Sequence, residues 1–65
     1  MGITGKDLVK LLQREGWELN RIRGSHHVMV KEGFRSVPIP VHGNRDIPKS
    51  LAEAILKQAG LKENG

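Results

Sequence analysis

The segment that decides the fold runs from Arg21 to Lys31 and reads Arg-Ile-Arg-Gly-Ser-His-His-Val-Met-Val-Lys. Two runs suited to extended backbone flank Gly24-Ser25, a dipeptide typical of a tight turn. The segment therefore predicts a β-hairpin with basic residues before its turn and two adjacent histidines after it. Histidine exchanges a proton near neutral pH, so this pair beside Arg21 and Arg23 indicates proton transfer next to a bound anion, for which phosphate is the obvious candidate.

The two strands of this hairpin differ in how clearly their faces can be assigned. In the second strand, successive side chains alternate between two faces, and the two valines are expected to face the core. This alternation places His26, Val28 and Val30 inward and His27, Met29 and Lys31 outward. In the first strand, Trp17 and Leu19 share one parity and Ile22 has the other. This change of parity has two possible explanations: a bulge near Asn20 or Arg21, or a strand that begins after Trp17.

A helix is predicted on each side of the strands. Thr4 and Asp7 have the spacing of a capping box, and the apolar stripe of Leu8, Leu11 and Leu12 ends at Gly16, which predicts a first helix over about residues 5–15. Pro48 suits the first turn of a second helix over about residues 48–59, capped by Asp46 or Ile47. Its expected inner face consists of Leu51, Ala54, Ile55 and Gln58, with Leu56 and Ala59 beside it.

Between the hairpin and the second helix, the sequence predicts a turn at Glu32-Gly33 and a third strand over residues 34–39. Pro38 and Pro40 remove hydrogen-bond donors, so this strand is expected at the edge of the sheet. The stretch from Val41 to Asp46 is expected to be a loop, and residues 62–65 a frayed tail. The order helix, strand, strand, strand, helix predicts an α+β fold in which two helices cover one face of a three-stranded antiparallel sheet.

Composition narrows the classes of function. The 65 residues suffice for one small domain, residues 1–65, and carry 11 Lys and Arg against 7 Asp and Glu, a formal net charge of +4. Such a charge favours a polyanionic partner such as nucleic acid. The absence of cysteine excludes disulfides and a thiolate zinc site, and adjacent histidines without a third ligand make a poor metal site. No cofactor, metal or membrane segment is expected, and the cytoplasm is the expected location.

The hairpin histidines are the candidate catalytic residues. Cleavage of RNA without a metal requires a group that takes the proton of a ribose 2′-hydroxyl, a group that protonates the departing 5′-oxygen, and positive charge at the phosphate. The outward orientation expected for His27 favours it over His26, for which a structural hydrogen bond is the simpler interpretation. The candidate RNA-binding residues are Arg21, Arg23, Gly24, Ser25, Lys31, His42 and Arg45.

Several short motifs occur in an order that resembles the HicA family of bacterial toxins. They are Gly16-Trp17, Gly24-Ser25-His26-His27, Val37-Pro38, Asp46-Ile47 and the segment Ile55-Leu56-Lys57-Gln58-Ala59-Gly60-Leu61. Together they span nearly the whole chain.

This resemblance implies a fold like that of double-stranded-RNA-binding domains and an endoribonuclease that cleaves messenger RNA without a metal. It further implies that a histidine of Gly24-Ser25-His26-His27 carries the reaction and that a HicB-type antitoxin binds and blocks the toxin. Which of the two histidines is catalytic stays open from the resemblance. The alternative function is a non-catalytic RNA-binding module that recognises phosphates and 2′-hydroxyl groups by shape.

Overall fold

The computed structural model describes residues 2–61, so the tail predicted for residues 62–65 lies outside the described residues. Its elements, in chain order, are β1 (Ile3–Thr4), α1 (Gly5–Arg14), β2 (Glu18–Arg23), β3 (His26–Val30), β4 (Val37–Pro40), β5 (Asp46–Ile47) and α2 (Lys49–Gln58). The predicted α+β fold is confirmed. Strands β2, β3 and β4 form an antiparallel sheet in that order, and both helices pack against one face of it.

Helix α1 begins with the predicted capping box. The Thr4 amide donates to the Asp7 carboxylate at 2.9 Å, and the Asp7 amide donates to the Thr4 hydroxyl at 3.2 Å. These bonds satisfy amides that the first helical turn leaves without partners. At the other end the helix stops at Arg14, and Gly16 has the positive φ of 96° that lets the chain turn into β2.

The β2–β3 hairpin contains a bulge, one of the two alternatives that the sequence left open for this region. Leu19 pairs with Met29 and Arg21 pairs with Val28, so the register shifts by one residue at Asn20. The bulge therefore keeps Leu19 and Ile22 on the same face of the sheet although their spacing is odd. Trp17 is buried and lies just before the strand. The bulge and a strand that begins after Trp17 are therefore both present.

The face assignment predicted for β3 is wrong. Met29 is fully buried against the helices, and its neighbour on the same face, His27, is half-buried, whereas His26 is exposed. Side chains of β3 at even numbers therefore point to the face without helices. The apolar Val28 and Val30 suggested the opposite alternation, but both are only partly buried, because an open sheet face also accepts β-branched residues.

Helix α2 covers the sheet with a different stripe from the one predicted. Ala52, Ile55 and Ala59 are buried and Leu56 is partly buried, whereas Leu51 is 41% exposed. The observed residues follow the spacing of three and four that defines one helix face, displaced by one position from the predicted stripe. Leu51, Ala54 and Gln58, which the sequence placed inward, are exposed.

The start of α2 also differs from the prediction. Pro48 occupies the N-cap position and makes no side-chain capping bond. Asp46 and Ile47 form β5 instead of a cap, pairing antiparallel with Thr4 and Ile3 of β1. This small second sheet, which the sequence did not predict, joins the segments that precede the two helices.

The third strand is shorter than predicted and begins at Val37. Its position at the sheet edge is as expected from its prolines, and Val37 and Ile39 are buried. Phe34, expected in this strand, lies in the preceding turn, where its ring packs against Trp17 with 5.4 Å between centroids.

Candidate functional site

The exposed histidine of the hairpin lies among cations on the open face of the sheet. His26 is directly opposite Arg23 across the β2–β3 pair and opposite Pro40 of β4. Directly opposed residues of antiparallel strands project from the same face, so the imidazole and the guanidinium are neighbours. Arg21, opposite Val28, adds a second exposed cation on this face.

A shallow concavity surrounds this imidazole. It is lined by Arg23, Gly24, His26, Val28 and Pro38. The hairpin turn supplies one wall through Gly24, and Val28 and Pro38 supply the apolar part of the lining. Such a surface admits an extended polymer, since nothing among residues 2–61 closes over it.

The other histidine occupies a second, smaller depression on the helix side of the sheet. This depression has a volume of about 210 Å³ and is lined by Lys6, Val9, Lys10, Gln13, His27 and Val41. The Nδ1 atom of His27 is buried and has no hydrogen-bond partner within the described part of the chain. The fold therefore leaves the hydrogen bonding of this ring unsatisfied at the wall of the depression.

A close approach of two backbones sets the position of this depression. Gly5, the first residue of α1, is buried so tightly that a side chain there would collide with the Pro40 carbonyl oxygen and lie 2.9 Å from the Val41 Cα. The Val41 amide in turn donates to the Ser25 carbonyl oxygen at 2.7 Å. These contacts hold the start of α1 beside the end of β4 and the hairpin turn.

Lys31 has a structural environment. Its ammonium group donates to the Glu15 carbonyl oxygen at 2.8 Å and lies 5.3 Å from the centre of the Phe34 ring. A cation at the carboxyl end of α1 also interacts favourably with the helix dipole. The Lys31 ammonium group, which the sequence assigned to RNA binding, is therefore engaged in contacts within the fold. Lys31 lines neither the depression that contains His26 nor the one that contains His27.

His42 and Arg45 are exposed in the loop before β5, where the Arg45 amide donates to the His42 carbonyl oxygen at 3.0 Å. They line a depression with Asp46 and Pro48 at the start of α2. The structure therefore separates the three histidines into three different surface depressions. A joint imidazole centre is not formed.

No group of three or more histidine and acidic side chains in residues 2–61 has the arrangement of a metal site. Neither helix in that range has the length and apolar character needed to cross a bilayer.

The sequence interpretation missed Lys6, Lys10 and Gln13 as candidate site residues. It assigned them to the solvent face of α1 because their spacing is that of a polar helix surface, and they are indeed exposed. Their proximity to His27 depends on how α1 crosses the sheet. A pattern within one helix contains no signal for that crossing.

Comparison with known proteins gives a consistent result. A family model described as the HicA toxin of bacterial toxin-antitoxin matches residues 5–61. A solved structure, a toxin-antitoxin complex from Streptococcus pneumoniae, contains a chain that is 43% identical and superposes with a TM-score of 0.80. That alignment covers 91% of this chain and 98% of the other. No curated protein matches the chain.

Proposed function

Because the chain belongs to the HicA toxin family of bacterial toxin–antitoxin systems, we propose that it is the toxin of such a pair and acts as a metal-independent endoribonuclease on messenger RNA. The protein partner in this proposal is a HicB-type antitoxin, supported by the toxin-antitoxin complex among the similar structures. Cleavage of messenger RNA would take place in the cytoplasm.

The observation that carries the proposal is the position of His26. Its imidazole is exposed on the open face of the sheet, opposite the Arg23 guanidinium. The expectation from the sequence was an outward imidazole among cations at the start of the second strand. That description fits His26 and not His27. The exposure argument that favoured His27 from the sequence therefore favours His26 as the catalytic residue.

The proposed chemistry assigns one proton transfer to this ring. A neutral His26 takes the proton of a ribose 2′-hydroxyl, and the 2′-oxygen attacks the adjacent phosphorus while the bond to the 5′-oxygen breaks. The products are a strand ending in a 2′,3′-cyclic phosphate and a strand beginning with a 5′-hydroxyl. Solvent water supplies the proton that the departing 5′-oxygen takes up, since no other titratable side chain of the described residues except Arg23 lines the concavity.

Positive charge is the second requirement of this reaction. Arg23 lies opposite His26 on the open face, and a guanidinium can form two parallel hydrogen bonds with a phosphate, so in this proposal it offsets the charge that develops on the phosphate oxygens. Arg21 supports the neighbouring part of the strand on the same face. Gly24 and Ser25 remain proposed RNA contacts at the turn, whereas contacts from Lys31, His42 and Arg45 stay predictions.

Incubating the purified chain with mixed RNA, in the presence and absence of a chelator, tests the proposal. We expect cleavage in both conditions and products with cyclic phosphate ends. Intact RNA at excess protein would contradict the enzymatic function. If RNA is bound in a salt-sensitive manner without any product, the chain is the non-catalytic RNA-binding module that charge and fold also fit.

A further inference from the structure

The depression on the helix side of the sheet combines groups that the proposed reaction at His26 does not use. Lys6 and Lys10 form its rim, Val9 and Val41 form its floor, and Gln13 and His27 add polar atoms. We propose that this depression, called here the α1 cleft and defined by those six residues, is a second binding site that holds one ribose-phosphate unit of the RNA away from the cleavage site.

The two lysines are arranged for phosphate contact. Lys6 and Lys10 are separated by one helical turn, which puts their Cβ atoms about 5 to 6 Å apart on the same face of α1. Both residues are exposed, unlike Lys31, whose ammonium group is bonded to the Glu15 carbonyl oxygen. Asp7 lies between them in sequence, but its carboxylate accepts the Thr4 amide at the helix start. Lys10 also lies close enough to the Asp7 carboxylate to lower its pKa, but both ammonium groups are on exposed side chains that a phosphate backbone can approach.

The rest of the α1 cleft fits a sugar better than it fits an acidic side chain. Val9 is 8% exposed and Val41 is half-buried, so they form an apolar floor against which a ribose ring can pack. The Gln13 amide both donates and accepts hydrogen bonds, as the 2′-hydroxyl group of RNA does. A carboxylate would use the lysines and leave these groups without a partner.

His27 adds its ring to the wall of this site. Its Nδ1 atom is buried without a partner in the described part of the chain, so the fold leaves the hydrogen bonding of this ring unsatisfied. The two adjacent histidines then have separate tasks, because their rings project from opposite faces of β3. His26 reacts on the open face, and His27 binds on the helix face.

The small size of the α1 cleft agrees with a contact to one unit of a polymer. Its volume of about 210 Å³ is below the roughly 300 to 1,000 Å³ of sites that enclose a whole small molecule. The choice of RNA as the occupant rests on the proposed function, and an acidic polypeptide is the competing occupant.

Binding of a labelled single-stranded RNA over a series of salt concentrations tests the site. All variants carry His26→Ala so that the RNA stays intact. Lys6→Ala/Lys10→Ala is compared with Lys49→Ala/Lys57→Ala on α2, which removes the same charge from exposed positions outside the α1 cleft. His27→Gln, with its folding checked by circular dichroism, provides a third comparison.

We expect the Lys6/Lys10 variant to bind at least about tenfold more weakly at low salt and to reduce the slope of log affinity against log salt by about 0.7, which corresponds to the one phosphate of a single strand that the α1 cleft is proposed to hold. The α2 variant should bind nearly as the parent does. Equal losses in the two lysine variants would overturn the site, because only net charge would then matter.

A polyglutamate peptide, measured with the same variants, separates the two occupants. Loss of peptide binding with unchanged RNA binding in the Lys6/Lys10 variant would overturn the proposal in favour of a protein contact. The outcome is independent of catalysis. If the unmutated chain leaves RNA intact, the proposed function fails, and the binding comparison still decides whether the α1 cleft holds RNA.

Discussion

Arg23 and His26 face each other directly across the β2–β3 hairpin, on the side of the sheet that the helices leave open. The relationship follows from a turn of two residues, Gly24 and Ser25, which fixes the pairing of the strands that it joins. The backbones of His26 and Arg23 are thereby fixed opposite each other by the sheet, without any contribution from a flexible loop.

The first prediction concerns Arg23. Arg23→Ala should reduce kcat/KM for RNA cleavage by about tenfold or more, mainly through kcat, because the guanidinium is proposed to act on charge that develops in the transition state. Arg35→Ala is the matched control, since Arg35 is an exposed arginine in the turn before β4. Steady-state kinetics on a short RNA provide the measurement. Equal effects of the two substitutions would show that Arg23 has no special role.

The second prediction tests the corrected faces of β3. Met29→Ala should lower the free energy of unfolding by about 2 to 5 kcal/mol, because Met29 is fully buried in the core. Val28→Ala, one residue away on the open face, should cost about 1 kcal/mol or less. Urea denaturation of both variants checks this difference. A larger cost for Val28→Ala would restore the orientation that the sequence suggested.

The third prediction concerns the environment of Lys31. Lys31→Met retains the aliphatic part of the side chain but removes the hydrogen bond to the Glu15 carbonyl oxygen, and it should lower the free energy of unfolding by about 0.5 to 1 kcal/mol. Its effect on RNA affinity should not exceed that of Lys57→Met, a control on α2. A larger loss of RNA affinity would instead support the RNA contact predicted for Lys31.

The fourth prediction follows from the capping box. The Thr4 amide, and to a smaller extent the Thr4 hydroxyl and Lys10, lower the pKa of the Asp7 carboxyl below its ordinary value of 3.8. A lowered pKa in the folded state means that the ionised carboxylate stabilises the fold above that ordinary value. The contribution is lost as the pH falls through the pKa of the folded state.

Asp7→Asn should therefore lower Tm at neutral pH, and the difference from the unmutated chain should shrink below about pH 4. Glu32→Gln, at an exposed turn position, is the control for the loss of one negative charge. Thermal melts at several pH values provide the comparison. A difference in Tm that is constant down to pH 2 would argue against a role for the ionised carboxylate.

The sequence predicted the parts of the fold that depend on local chemistry. The capping box at Thr4 and the end of α1 near Gly16 each depend on residues within a few positions of one another, whereas the bulge at Asn20 was only one of two alternatives. The faces of β3 and α2 depend instead on what packs against them. Val28 and Leu51 are apolar residues on exposed or partly exposed surfaces, and a short strand or helix contains too few residues to show that they are not in the core.

The candidate site could likewise be predicted from the sequence only where it depends on neighbouring residues. The hairpin and its cations were evident from Arg21, Arg23 and the two histidines, but the assignment of a histidine to a face required knowing which side of the sheet α1 covers. The contribution of Lys6 and Lys10 required the crossing of α1 over β3, which depends on the approach of Gly5 to the Pro40 carbonyl oxygen.

The most direct test of the central claim compares His26→Ala with His27→Gln in single-turnover cleavage of RNA at saturating protein. His26→Ala should reduce the cleavage rate by about 10² to 10⁴ while RNA affinity and Tm stay close to those of the unmutated chain. His27→Gln should weaken binding but cleave at nearly the normal rate once RNA is saturated. Loss of cleavage in His27→Gln, with normal cleavage in His26→Ala, would contradict the assignment of the reaction to the open face of the sheet.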